Sequence, residues 1–174
     1  YDWDADKNQM NVLIAAAKAS GEDFIAEAFS NSPPYFMTES GCSSGNTNSS
    51  VDNLRKDSYN AFAAYMSDVI VHWAKEGVID FQSTTPMNEP DTNYWGANSN
   101  KQEGCHFDPG RSQSEIIVAF AKELRSQIAA SDNDNVKALG NIIFSASDET
   151  SIDSAITNYG SLSNAAKNVV TRID

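Results

Sequence analysis

Apolar positions follow two alternating rhythms along this chain. Met10, Leu13, Ile14 and Ala17 fall at the spacing of one helical face and Gly21 closes the run, so a helix is predicted over 7–20. The next stretch, Asp23-Phe24-Ile25-Ala26-Glu27-Ala28-Phe29, is short and reads as a strand. Tyr59, Phe62, Met66, Val69, Ile70 and Trp73 then trace the apolar face of a helix over about 54–76, with Trp73 in the core and His72 at its boundary. Gly77 ends that helix, and 78–85 is the second strand. A third helix opens at Ser112-Gln113-Ser114-Glu115, the pattern of a capping box, and carries Ile116, Phe120, Leu124 and Ile128. Branched residues over 138–146 predict a third strand. A short helix follows over about 152–159, and 168–171 begins a fourth strand.

Alternation of this kind implies a parallel sheet with helical crossovers. Helix-to-strand turns such as Gly21-Glu22 and Gly77 are short, whereas the strand-to-helix segments 30–52 and 88–110 are long. Both long segments lie at the strand C-terminal ends, where parallel α/β folds carry their sites. No strand runs into G-x-G-x-x-G or a P-loop, which a dinucleotide fold would need. The expected architecture is therefore part of a (β/α)8 barrel, one partial domain over 1–174. Tyr1 does not read as a native N-terminus, and no signal or membrane-spanning run is visible.

The net charge of −12, from 24 acidic against 12 basic side chains, repels phosphates. Nucleic acid and anionic membrane are thus poor partners, while a neutral sugar is compatible with such a surface. Cys42 and Cys105 both sit in polar, Gly-containing stretches and read either as free thiols or as one disulfide joining two loops. His72 and His106 are far apart and the cysteines form no C-x-x-C pair, so no zinc site is indicated. Asn48-Ser49-Ser50 matches a glycosylation acceptor.

The sharpest chemical signal is Thr85-Pro86-Met87-Asn88-Glu89-Pro90, at the end of the second predicted strand. A carboxyl there would project into the barrel mouth, where desolvation favours its protonated form, as a general acid requires. Asn88 is placed to hydrogen-bond a sugar hydroxyl. Tyr94 and Trp95 read as stacking faces for a pyranose or as packing beneath the loop. Tyr35 reads as a cleft residue or as part of a Pro-stiffened turn. His106 and Glu103 are candidate substrate contacts. Asp148 and Glu149 read as a helix N-terminus or a substrate contact rather than a nucleophile.

Several of these motifs together resemble glycoside hydrolase family 30. Asn31-Ser32-Pro33-Pro34-Tyr35-Phe36-Met37-Thr38 with Ser40-Gly41-Cys42-Ser43-Ser44-Gly45 looks like its third strand-loop. Pro86-Met87-Asn88-Glu89-Pro90 with Asn93-Tyr94-Trp95-Gly96 looks like the fourth. Gln102-Glu103-Gly104-Cys105-His106 and Ser145-Ala146-Ser147-Asp148-Glu149-Thr150 fit the same alignment, and the likeness is greatest to the endo-β-1,6-galactanase branch. The resemblance implies a barrel segment from the second helix to the sixth strand of a secreted, retaining glycosidase. Glu89 would be its acid/base. The substrate-binding set would be Asn31, Tyr35, Asn88, Tyr94, Trp95, Glu103, His106 and Glu149. A polysaccharide or oligosaccharide would be the partner, with no cofactor. The nucleophile would follow the seventh strand, outside this sequence. Two other readings predict differently: an inactive barrel that only binds sugar, and a non-carbohydrate α/β enzyme in which Asn-Glu-Pro is coincidental.

Overall fold

The computed structural model describes residues 1–146 and 148–174, with Glu22 described by its backbone alone. Helix α1 (Lys7–Ser20) is followed by strand β1 (Ala26–Phe29), helix α2 (Tyr59–Lys75) and strand β2 (Phe81–Thr85). Then come helices α3 (Ser112–Ala130) and α4 (Asp134–Ala138), strand β3 (Ile143–Ala146), helices α5 (Ile152–Ser161) and α6 (Asn164–Lys167), and strand β4 (Arg172–Ile173). The strands pair in chain order, β1-β2-β3-β4, and each pairing is parallel.

Register divides the sheet into two chemically distinct faces, because successive side chains of a strand point to opposite sides. Ala28 pairs with Thr84 and Thr84 with Phe144. This row faces the helices, and the Phe144 ring meets Phe120 of α3 edge-to-face at 5.7 Å. The other row contains Glu27 paired with Ser83, Ser83 with Ile143, and Ser145 with Arg172. That face is largely polar. Glu27 there accepts hydrogen bonds from Ser83 and Arg172, and Arg172 also grips Asp174 (Nε to Oδ1 2.7 Å). The outermost strands β1 and β4 are thereby tied across the helix-free side by one ion pair.

The core lies between the sheet and α2 and α3, where Phe62, Met66, Ile70, Ile116, Phe120 and Leu124 are buried. Among the residues expected on α2, Trp73 is only half-buried. It packs with His72 and Trp3, and the His72 and Trp3 rings stack at 3.7 Å.

Several expected boundaries shift. Helix α2 starts at Tyr59 because Leu54 is held in an antiparallel bridge with Thr38. Residues 138–141 are helical turns rather than strand, and Ile142 leads out of them. Asn133 caps α4 by accepting the Val136 amide at 3.1 Å, and β3 begins only at Ile143. Residues 168–170 complete a turn after α6, which moves β4 to Arg172–Ile173. The capping box at 112–115 does not form. Asp108 instead takes the amides of Gly110 and Arg111 with Oδ1, and Glu115 faces Lys56 at 3.9 Å.

Candidate active site

The strand C-terminal ends share one rim, and the two long loops fold against each other on it. Ala97 N–H donates to the Asn46 carbonyl (2.9 Å) and Gly104 N–H to that of Ser43 (2.9 Å). Asp108 N–H donates to Asp52 Oδ1 (2.7 Å). Cross-links of this kind give a site built on loops the precision of a rigid scaffold.

Glu89 lies four residues past the end of β2, at the level where the ladder continues as a bridge between Asn88 and Asp148. Its N–H donates to the Asp148 carbonyl at 2.6 Å. Its backbone is left-handed, φ +42°, a conformation that costs an L residue about 1–2 kcal/mol. The surroundings hold it there: Thr92 Oγ1 donates to the Glu89 carbonyl at 2.8 Å and Trp95 Nε1 at 3.1 Å. The half-buried side chain accepts a hydrogen bond at Oε2 from the Tyr94 hydroxyl. Burial and that carboxylate raise the phenol of Tyr94 to about 12, so it remains a donor throughout the neutral range.

Asn88 is 9% exposed and, among the described residues, its Nδ2 has no partner. A buried amide of that kind is costly unless something arrives to accept from it, which suits a ligand hydroxyl. Asp148 is pushed above the ordinary carboxylate range by burial and by the charges of Asp174, Glu27 and Glu89, with Arg172 opposing. Glu149 accepts from Asn158 Nδ2 of α5 at 2.6 Å, and burial pushes its carboxyl up to about 7. Ser147, in the same motif, lies outside the described residues. Among the described residues, no group of three or more His, Cys, Asp or Glu side chains could hold a metal ion, and no helix is long and apolar enough to cross a membrane.

The remaining expected site residues are spread along the rim. Tyr35 is 63% exposed, its ring edge-to-face with the equally open Phe36 at 5.5 Å. Asn31 is exposed just after β1. Glu103, also exposed, accepts from the Ser43 hydroxyl at 2.9 Å. His106 is half-buried with Nδ1 2.9 Å from the Thr92 carbonyl, so it braces the turn beside Glu89.

Two readings that the sequence left open are separated by the structure. Trp95 offers no stacking face: it is 2% exposed, with Gly104 against its indole and Gly45 against its backbone carbonyl, and a Cβ at either glycine would overlap it. The cysteines are free thiols, not a disulfide. Cys42 points its sulfur at Asn98 Oδ1 (3.4 Å), whereas Cys105 is wholly buried and directs its own at the His106 carbonyl (3.4 Å).

Residues 1–164 match the pattern of O-glycosyl hydrolase family 30. The chain belongs to this family. Over all 174 residues it is 34% identical to an endo-beta-1,6-galactanase of Hypocrea rufa, covering 33% of that protein, so the chain spans about a third of the relative's length. Over 97 residues, 55% of this chain and 6% of the other, it is 34% identical to an exo-beta-1,6-galactobiohydrolase of Bifidobacterium longum subsp. longum. The family 30 subfamily 8 xylanase of Clostridium acetobutylicum superposes with a TM-score of 0.66 at 16% identity, over 97% of this chain and 36% of that one. That likeness supports the fold alone.

Sequence reasoning missed the Glu27–Arg172–Asp174 group on the helix-free face. A usable signal was present: an acidic residue in the middle of a strand of a parallel sheet, whose two faces are normally buried.

Proposed function

We propose that this family 30 chain is the middle of the catalytic barrel of a secreted, retaining endo-glycosidase acting on β-1,6-linked galactan, with Glu89 as acid/base. The single observation that carries the reading is the setting of Glu89: a half-buried carboxyl just past a parallel strand, on a left-handed backbone that three neighbouring groups hold in place. Such strain persists where the surrounding structure over-determines it, and it concentrates at functional sites. In this reading β1 to β4 are the third to sixth strands of an eight-stranded barrel, and residues 1–174 are part of one domain.

Retaining hydrolysis proceeds in two steps. A second carboxylate, carried after the seventh barrel strand and about 5–5.5 Å from the first, attacks C1 on the side opposite the leaving oxygen and forms a glycosyl-enzyme. Glu89 gives its proton to the leaving oxygen as the C1–O bond breaks. It then takes a proton from the water whose oxygen displaces the enzyme from C1. Asn88 Nδ2 would donate to a sugar hydroxyl beside the scissile bond. Asn31, Tyr35, Glu103, His106 and Glu149 would line more distant parts of the cleft. No metal or organic cofactor enters these steps. The galactan assignment is supported by the two relatives whose names carry that linkage. Secretion follows from the size of a polysaccharide substrate, which must be met outside the cell.

Glu89→Gln in the full-length gene product should lower turnover of β-1,6-galactan by about 10²–10⁴-fold. Aryl galactosides with good leaving groups, which need little protonation, should lose much less in the first step. Turnover of the natural polysaccharide at the unaltered rate would remove Glu89 from this role.

A further inference from the structure

We propose that Tyr94 is a positioning residue for the acid/base rather than a platform for sugar, acting through the hydrogen bond from its hydroxyl to Glu89 Oε2; this rests on the acid/base reading of Glu89. Glu89 and Tyr94 are five positions apart, and the loop between them is stiff. Thr92 closes it onto the Glu89 carbonyl, and the Trp95 indole, anchored to that same carbonyl, packs edge-to-face on the Tyr94 ring at 4.6 Å. Lys101 Nζ also lies over the Tyr94 ring, 4.5 Å from its centroid. A ring held by an indole and an ammonium has little face left for a pyranose. Its hydroxyl is pointed at the carboxyl instead.

The consequence is a choice between two oxygens. A phenol that stays protonated donates to Oε2 in both steps of the cycle, so Oε2 is kept as an acceptor. The transferable proton then resides on Oε1. It leaves Oε1 for the glycosidic oxygen in the first step and returns there from water in the second. The phenol proton itself never leaves Tyr94. Without that donor the carboxyl can rotate, and protons can sit on the oxygen that faces away from the bond. Binding of the sugar does not change, because no sugar contact is lost. This is an effect on geometry in the transition state, which appears in kcat rather than in KM.

The test uses the full-length gene product and β-1,6-galactan. Tyr94→Phe keeps the ring, and with it the contacts to Trp95 and Lys101. It is expected to lower kcat by about tenfold or more while KM stays within about twofold. Tyr94→Leu, which removes the ring as well, is expected to lose a similar amount of kcat if the hydroxyl is what matters. Activated aryl galactosides should be turned over by Tyr94→Phe at nearly the unaltered first-step rate, a pattern that a general loss of structure would not produce. A raised KM with kcat intact would make Tyr94 a sugar contact and overturn the proposal, as would a Tyr94→Phe enzyme with unaltered kcat. Loss in Tyr94→Leu alone would assign the residue to packing, with the same effect. Glu89→Gln separates the two levels. If it abolishes turnover of the polysaccharide while Tyr94→Phe does not, only the positioning role fails. If Glu89→Gln is fully active, the acid/base reading and this inference fail together.

Discussion

The indole Nε1 of Trp95 donates a 3.1 Å hydrogen bond to the carbonyl oxygen of Glu89, so a buried aromatic of the long loop holds the backbone of the candidate acid. With Thr92 Oγ1 donating to that same oxygen, two side chains offset the cost of the left-handed Glu89 backbone. Trp95→Phe removes one donor and leaves a small cavity, and should cost about 2–3 kcal/mol in a denaturant titration. A change below about 0.5 kcal/mol would mean that the indole is not part of the clamp.

Gly104 lies against the face of that indole, and a Cβ there would overlap Cδ2 and Cε3. Gly104→Ala should therefore displace Trp95 and cost about 1–3 kcal/mol. Gly140→Ala is the control. Nothing lies within 4 Å of its Cβ position and its φ needs no glycine, so it should be neutral or stabilise by about 0.4–1 kcal/mol. Equal thermal shifts in the two variants would contradict the steric account.

Glu149 carries a pH signature. Burial, opposed in part by the Asn158 hydrogen bond, raises its carboxyl from an ordinary 4.5 to about 7. Below pH 4.5 the group is protonated in both the folded and unfolded chains and costs the fold nothing. As pH rises toward 7 only the unfolded chain ionises, so stability is lost across that window and the loss is complete above it. The group is half-exposed, so solvent screening leaves about 1–2 kcal/mol. Glu149→Gln keeps an acceptor for Asn158 Nδ2, and its stability should fall less than the parent's between pH 4.5 and 8, by that amount. Parallel curves of urea midpoint against pH would contradict it.

The two cysteines should react differently. Burial raises the Cys105 thiol to about 12, whereas Cys42 is partly open to solvent. Native protein treated with iodoacetamide should take one label, at Cys42. Unfolding without reductant should expose the second. A denatured, unreduced protein that takes no label would carry the disulfide instead.

The alternation of helices and strands was legible because buried faces recur at fixed periods, and α1, α3, β1 and β2 fall close to where those periods put them. Residues 138–142 were not, since branched and small residues suit a strand or a buried turn equally, and the Asn133 cap decides between them. Gly45 and Gly104 read in sequence as ordinary loop glycines. Their role beside Trp95 exists only once the two loops meet.

By itself the sequence determined the parallel α/β order, the face that carries the long loops, and the family to which the Asn88-Glu89-Pro90 stretch belongs. Those properties follow from local periodicity and from short runs of neighbouring residues. Tertiary structure alone decided that Trp95 is a clamp rather than a sugar platform, that Tyr94 points at Glu89, that Arg172 reaches Glu27, and that the thiols stay apart. Each depends on how segments distant in the chain pack together, and the pattern within any one segment is the same whichever way the loops close.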